Sequence, residues 1–309
     1  MHPVPITILG GRSGSPGDLP ADGLHPLPNY KAAAIQVDDR PLIAHVVERC
    51  RQVEGFGPVT IAGPSRIYAP LGLDAEIIET DGTVAENLRA TIERHGTDGP
   101  IAILASDVLL SVAELSELRG RFEADSPCAL WCPFVRAPED SATLGAFGWK
   151  PRYRIAPEDT GQPVAILPGH LCIFVPQRTR LSLLYRLLDL AYETRNRSVR
   201  HRRGVMLRKL ALSLLWRDVV NLTKLRAPSS TVRVVGSGLR LAKQLRAGSI
   251  RGSELEHLIG RIFREQGVTG AEGRYRYPIV DILNLAKDVD TIEEAREFST
   301  GAPTAVSGS

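Results

Sequence analysis

The sequence predicts an α/β protein on a Rossmann-like mixed sheet, mostly parallel, and three observations carry that expectation. The runs ITIL (from Ile6), PVTIAG (Pro58 to Gly63), AEIIE (Ala75 to Glu79) and IAILASD (Ile101 to Asp107) are near-continuously apolar rather than alternating, as strands buried on both faces are. Amphipathic helical patterns stand between them, and strands alternating with helices build a sheet covered on both sides. Glycine and proline bound most of the runs, which keeps each strand short.

The elements follow in order. AAAIQV after Lys31 reads as a short strand, and Pro41 to Gln52 as a helix with proline where the first turn tolerates it. TVAENLRATIERHG is a helix that Thr83 caps, with Glu86 three residues on completing the capping signature. Ser111 opens the helix VAELSELRGRFEAD; ALWCPFV, GAFGWK and PVAILPGHLCIFVP read as later strands, some antiparallel, so the sheet is mixed. Leu181 to Leu225 is largely helical by pattern, in the pieces LSLLYRLLDLAYETR and VMLRKLALSLLWRDVVNLTKL. TVRVVG reads as a strand, SELEHLIGRIFREQG as a helix capped by Ser253, and Ile279 to Ala286 as a last strand leading into KDVDTIEEAREF. The expected organisation is a core over 1–176, a basic helical insertion over 177–252, a part completing the core over 253–298, and a small, polar, disordered tail over 299–309.

With 43% hydrophobic and 24% charged residues among 309, the chain falls in the ordinary soluble globular class. Its start, MHPVPITILGG, has no basic region ahead of a long apolar one, so the expectation is a cytoplasmic protein. Cys50, Cys128, Cys132 and Cys172 sit mostly inside apolar runs with no CxxC pair, which reads as buried free thiols rather than a zinc site. The net charge of +3 hides an uneven distribution. Segment 177–251 holds 18 Lys/Arg and 3 Asp/Glu, leaving 20 of the 38 basic and 32 of the 35 acidic residues elsewhere. Such a cationic segment suits solvated helix faces or peripheral contact with the anionic inner membrane surface; the stripe Leu207, Leu210, Leu214 and Val219 with Trp216 fits a helix lying on that surface. Aromatics interleaved with the charges are few, so nucleic acid is not an expected partner.

The stretch from Ile6 to Cys50 carries the chemistry. A strand opens into Gly10, Gly11 and Arg12, and a glycine- and proline-rich loop then runs to Lys31. Glycines leave backbone N–H groups bare, and a fixed cation meets phosphate oxygens, so the stretch suits a polyphosphate. It is neither a P-loop, which needs GK[ST], nor a dinucleotide fingerprint, which needs GxGxxG opening into a helix. Pro16, Pro20, Pro26 and Pro28 forbid a helix before Lys31.

In the order ILGGR, NYK, AAAIQV and DDRPLIAHVVERC, this stretch resembles the nucleotidyltransferases related to molybdenum-cofactor guanylyltransferase and, more distantly, to sugar-phosphate pyrophosphorylases. The glycine-to-lysine loop is longer than in the commoner members. The resemblance covers roughly Ile6 to Phe174 and Ile279 to Phe298, and it implies the nucleotide-diphospho-sugar transferase type of fold. ILASDVLLSVAEL resembles the family element whose aspartate binds the metal, here Asp107, with Leu109 in place of the usual proline. KDVDTIEEAREF resembles the closing motif that gives the second metal contact, with Asp290 the better candidate and Asp288 the second; Thr291 and Glu294 also spell a plain capping box. GTVAENLRATI resembles a segment that contacts base or ribose, through Asn87, and PGHLCIFVP one that faces the second substrate, through Gly169 and His170.

By that resemblance Leu9, Gly10 and Gly11 admit an NTP, Arg12 and Lys31 neutralise the triphosphate and the leaving pyrophosphate, and Asp107 with Asp290 holds Mg²⁺. The implied reaction transfers NMP from NTP to a phosphorylated small molecule: a sugar, polyol or lipid-precursor phosphate. A metal-dependent glycosyltransferase of the related fold and a non-catalytic nucleotide-binding scaffold remain as alternatives. The glycosyltransferases usually carry DxD near this strand, where this chain has no second carboxylate two residues after Asp107.

Overall fold

A seven-stranded sheet organises the chain. It contains β1 (Val4–Leu9), β4 (Phe56–Gly63), β5 (Glu76–Glu79), β6 (Ile101–Ala105), β7 (Leu130–Trp131), β11 (Leu171–Phe174) and β12 (Tyr275–Arg276) in the order β12-β7-β11-β6-β1-β4-β5. The computed structural model describes residues 3–12, 25, 27, 29–150, 152–157, 161–194 and 230–299. β1 pairs in parallel with β4 and β6, β4 with β5, and β7 with β12, while β11 alone runs against its neighbours β6 and β7. The sheet is therefore mixed and mostly parallel, as the apolar runs predict.

Burial on both faces explains why those runs do not alternate. Ile6 and Ile8, both 0% exposed, pack in one cluster with Leu42, Val46 and Val47 of α2 (Leu42–Arg51) and Leu115 and Leu118 of α5 (Val112–Asp125). Each such isoleucine contributes on the order of 2–3 kcal/mol by leaving water. The other face is covered by α4 (Val84–His95), whose Leu88 and Ile92 pack with Ile101, Phe174, and Leu184, Tyr185 and Leu188 of α6 (Leu181–Thr194). Between them Thr7 and Thr60, fully buried on neighbouring strands, share a 2.7 Å hydrogen bond, and each lies 3.2 Å from His95 Nε2.

Burial lowers the His95 pKa below its ordinary 6.5, with a further push from Arg94. The unfolded chain therefore accepts a proton there more readily than the folded one, so the stability that neutral His95 contributes is complete above 6.5 and falls as the pH drops through that value. His95→Gln is expected to flatten the decline of Tm between about pH 7 and pH 5. Thermal melts with the wild-type slope would exclude this role.

Two of the helix starts read from the sequence, at Thr83 and Ser111, carry complete capping boxes. Thr83 accepts the Glu86 N–H at 3.3 Å while Glu86 accepts the Thr83 N–H at 2.6 Å, and Ser111 and Glu114 exchange the same pair at 3.2 and 2.7 Å. The second box fixes where α5 begins and so confines Asp107 to a short connection after β6.

Elsewhere the structure departs from the sequence reading. The three alanines of AAAIQV belong to α1 (Lys31–Ala34), alanine being the best helix former; only β2 (Gln36–Val37) pairs, with β3 (Arg40–Pro41), around Asp38 and Asp39 at φ 48 and 60°. GAFGWK is not a strand: Ser141–Trp149 forms two short 3₁₀ turns that meet at a kink at Gly145, φ 51°. Leu144 and Phe147, both 2% exposed, anchor the two sides of that kink, and Asp140 caps the Ala142 N–H at 2.8 Å. TVRVVG lies within α7 (Ser230–Ala247), where Val234 and Leu241 share one face against Ile262, so tertiary burial overrides valine's strand preference. α8 (Gly252–Phe263) begins at Arg251, not under a Ser253 cap.

ALWCPFV and PVAILPGHLCIFVP each split into two strands in different sheets. β8 (Phe134–Arg136) and β10 (Val164–Pro168) join β9 (Tyr153–Ile155) and β13 (Ile279–Val280) in a second, four-stranded sheet. Beyond Val280 the expected strand turns instead into a 3₁₀ helix, Leu283–Ala286. The helical piece 205–225 with its apolar stripe and Trp216, and the tail from 300, lie outside the described residues. No helix among the described residues is long and apolar enough to cross a membrane.

Candidate active site

The carboxyl ends of β1, β4 and β6 lie together, because Leu9 pairs with Ala62 and Ala105 in register. Open α/β sheets place ligands at that end. Asp107 follows β6 there, and the chain returns to it from far away: Val108 bridges Asp288, and the Val289 N–H donates to Asp107 O at 3.2 Å. The predicted capping box forms at this return. Thr291 accepts the Glu294 N–H at 3.1 Å, and fully buried Glu294 accepts the N–H groups of Thr291 at 2.9 Å and Asp290 at 2.5 Å. Capping and site building are thus one device: the box that starts α9 (Ile292–Ser299) holds Asp290 toward Asp107. One carboxylate oxygen from each of Asp107, Asp288 and Asp290 lies within 4.8 Å of the others.

Two lysines and a histidine meet this cluster. Lys31, 5% exposed, reaches from α1 to Asp290 Oδ1 and lies 3.5 Å from Asp107 Oδ2. Lys150 pairs with Asp288 and lies 3.9 Å from Asp290 Oδ2, while His170 Nε2 lies 3.1 Å from Asp288 Oδ1. Burial works against the charge of Lys31, but Asp107 and Asp290 outweigh it and raise the pKa above the ordinary lysine value. Burial likewise raises Asp107, with Lys31 opposing. Burial would raise Asp288 too, yet His170 and Lys150 hold it far below the usual carboxylate range. His170, which burial alone would make less basic, is raised by Asp288. Lys150 is the member that the sequence did not reveal; it ends GAFGWK, a segment expected to be a strand, and nothing local announces its partner 138 residues away.

The glycine loop forms the adjoining wall. Gly10 spends its N–H on Ala62 O at 2.9 Å and its carbonyl on the hydroxyl of Tyr68, the last residue of α3 (Ser65–Tyr68), at 2.7 Å, so the sheet and Tyr68 fix its position. A Cβ at Gly11 would stand 2.0 Å from Nδ2 of Asn87, which is 2% exposed and accepts the Thr80 hydroxyl at 2.9 Å. Asn87 therefore lies against the glycine turn, next to where the sequence reading puts the nucleotide. Gly11→Ala is expected to cost about 1–3 kcal/mol by displacing that amide; a variant with wild-type Tm would show that the turn yields freely.

Arg12 is exposed at the loop's start. At its far end Tyr30, at φ 56°, is clamped by Asp81 and by Arg66 Nη2 at 2.9 Å, which sets the direction in which Lys31 enters. Gly169 and His170 lie where strands change sheets. A Cβ at Gly169 would meet Pro133 O at 2.4 Å, so glycine is required for the crossing, and the crossing turns His170 toward Asp288.

Three carboxylates offering close oxygen donors suit a hard divalent cation. Lys31 and Lys150 balance part of their charge.

No family model matches the chain, and no curated protein matches it. Among solved structures it is similar to CMP:2-keto-3-deoxy-manno-octonic acid synthetase complexed with CTP, at 13% identity over 69% of this chain and 86% of that one, with a TM-score of 0.42. It is also similar to 2-C-methyl-D-erythritol 4-phosphate cytidylyltransferase from Thermus thermophilus, at 17% identity over 64% and 80%, with a TM-score of 0.36. A third is 4-diphosphocytidyl-2C-methyl-D-erythritol synthase from Anaerococcus prevotii, at 10% identity over 64% and 80%, with a TM-score of 0.37. These are likenesses of chain path at low identity.

Proposed function

We propose that the protein is a Mg²⁺-dependent nucleotidyltransferase that moves NMP from an NTP to a phosphorylated small molecule and releases pyrophosphate. One observation carries the reading: Lys31, at the end of the glycine loop, converges with Asp107, Asp288 and Asp290 at the carboxyl end of a mostly parallel sheet. The chemistry asks for positioning and charge rather than for a protein nucleophile. An acceptor phosphate oxygen attacks the α-phosphorus, the α–β bridging P–O bond breaks, and its electron pair leaves on pyrophosphate.

In this reading Gly11 lets the nucleotide approach the backbone, with Asn87 beside it for the base or ribose. Asp107, Asp288 and Asp290 hold the cation, which supplies charge neutralisation at the phosphates when bound. Lys31 then exchanges its carboxylate partners for phosphate oxygens, and Arg12 meets the outer phosphates from the loop's start. Lys150 and His170 keep Asp288 ionised and oriented. Gly169 and His170 mark the side from which the acceptor enters. A pyrophosphate-release screen with the four NTPs, Mg²⁺ and a panel of sugar, polyol and lipid-precursor phosphates tests the proposal. Release that requires one NTP and one acceptor phosphate supports it; no release from any pair, with NDP-sugar consumed instead, would overturn it.

A further inference from the structure

At the opposite end of the sheet from the acidic cluster lies a cationic site. β11 runs against β6, with Leu171 paired to Leu104 at the end near Asp107 and Phe174 to Ile101 at the far end, so the segment leaving β11 emerges away from the acidic cluster. There Arg180 donates its N–H to Phe263 O at 2.7 Å, Glu265 donates its N–H to Arg178 O at 3.0 Å, and Thr179 bridges Arg264. These contacts dock the end of α8 onto the segment beside an open cavity of about 580 Å³. Arg180, Arg261, Arg264 and His257 line it together with Gly260 and Gly267, and one carboxylate, Glu265, stands among them. The Glu265 Oε1 accepts the Gln266 N–H at 3.1 Å.

The arginines are placed, not merely present. The Arg264 guanidinium lies between two glycines: a Cβ at Gly260 would come within 3.0 Å of its Nη2, and one at Gly273 within 3.2 Å of its Nε. That Nε is out of solvent and has no hydrogen-bond partner, and among the described residues neither Arg261 nor Arg264 makes an ion pair. A concave site of this volume takes a small molecule, and clustered guanidinium groups are matched by a phosphate's oxygens.

We propose that this cavity binds a phosphate monoester, at a site separate from the one around Asp107. Titration of inorganic phosphate into the uniformly ¹⁵N-labelled full chain tests it through the backbone amides of Gly260 and Gly267, with Gly11 reporting on the other end of the sheet. Saturable shifts at Gly260 and Gly267 are expected. In Arg261→Gln, where an exposed side chain is replaced, the apparent Kd should rise about tenfold while Gly11 responds as in wild type. Vesicles of phosphatidic acid form a second arm: displacement of bound phosphate puts the ester on a lipid headgroup, and its absence puts it on a soluble molecule, the site standing in either case. Shifts that never saturate, that survive Arg261→Gln unchanged, or that are confined to Gly11 would overturn the proposal.

Discussion

Asp107→Ala is expected to abolish Mg²⁺- and NTP-dependent pyrophosphate release, by at least about 100-fold in kcat/KM, while the protein stays folded. Removing one preorganised charge-stabilising group from an active site costs on the order of 10²–10³-fold in rate, and Asp107 is one of three carboxylates that hold the cation in the proposed mechanism. The fold should tolerate the change, because the side chain lies beyond the end of β6 and keeps 17% exposure. Burial already disfavours its charge. What remains is Lys31 paired with Asp290, a smaller but balanced contact. Near-normal turnover at saturating Mg²⁺ in a variant with unchanged Tm would remove Asp107 from the site.

Lys31→Ala is expected to damage both stability and turnover, and Mg²⁺ should separate the two. Removing one partner of a buried ion pair strands the others, at about 3 kcal/mol; the lower part of the usual range applies because Asp107 and Asp290 keep 17% and 18% exposure. The Lys31 pKa is raised, so its contribution is complete below the ordinary lysine value of 10.5 and is lost only as pH climbs through the folded value. At neutral pH the variant therefore carries the whole deficit. A divalent cation supplies the missing charge, so Mg²⁺ should raise the Tm of Lys31→Ala more than that of wild type. Turnover should not recover with it, since a cation on phosphate contributes on the order of 1.5–3 kcal/mol. Equal Tm gains in the two proteins would show that Lys31 and the cation do not share the carboxylates, and a change confined to acceptor KM would refute the phosphate role.

Where signals are local, the amino-acid sequence by itself determined the outcome. ITIL, PVTIAG and IAILASD became the central strands because both of their faces are covered, while AEIIE, with Glu76 and Glu79 exposed, became the edge strand β5. Thr83 with Glu86 and Ser111 with Glu114 became capping boxes because every participating group lies within three residues. Asp107 was marked by its place after an apolar strand, whereas Asp290 was marked by the resemblance of KDVDTIEEAREF to a family motif, since its place before a cap by itself says no more than a helix start. Valine-rich TVRVVG and aromatic GAFGWK misled, because the burial that decided them comes from Ile262 and from the helix at Ile292–Ser299, through Phe298 and Glu297. Only the tertiary structure decided the charge partners: Lys31 lies 76 residues from Asp107 and 259 from Asp290, and Lys150 lies 138 from Asp288. Coulomb attraction has no period along a chain. It selects partners only once the backbone has brought them within a few ångströms and burial has stripped away the water that would screen them.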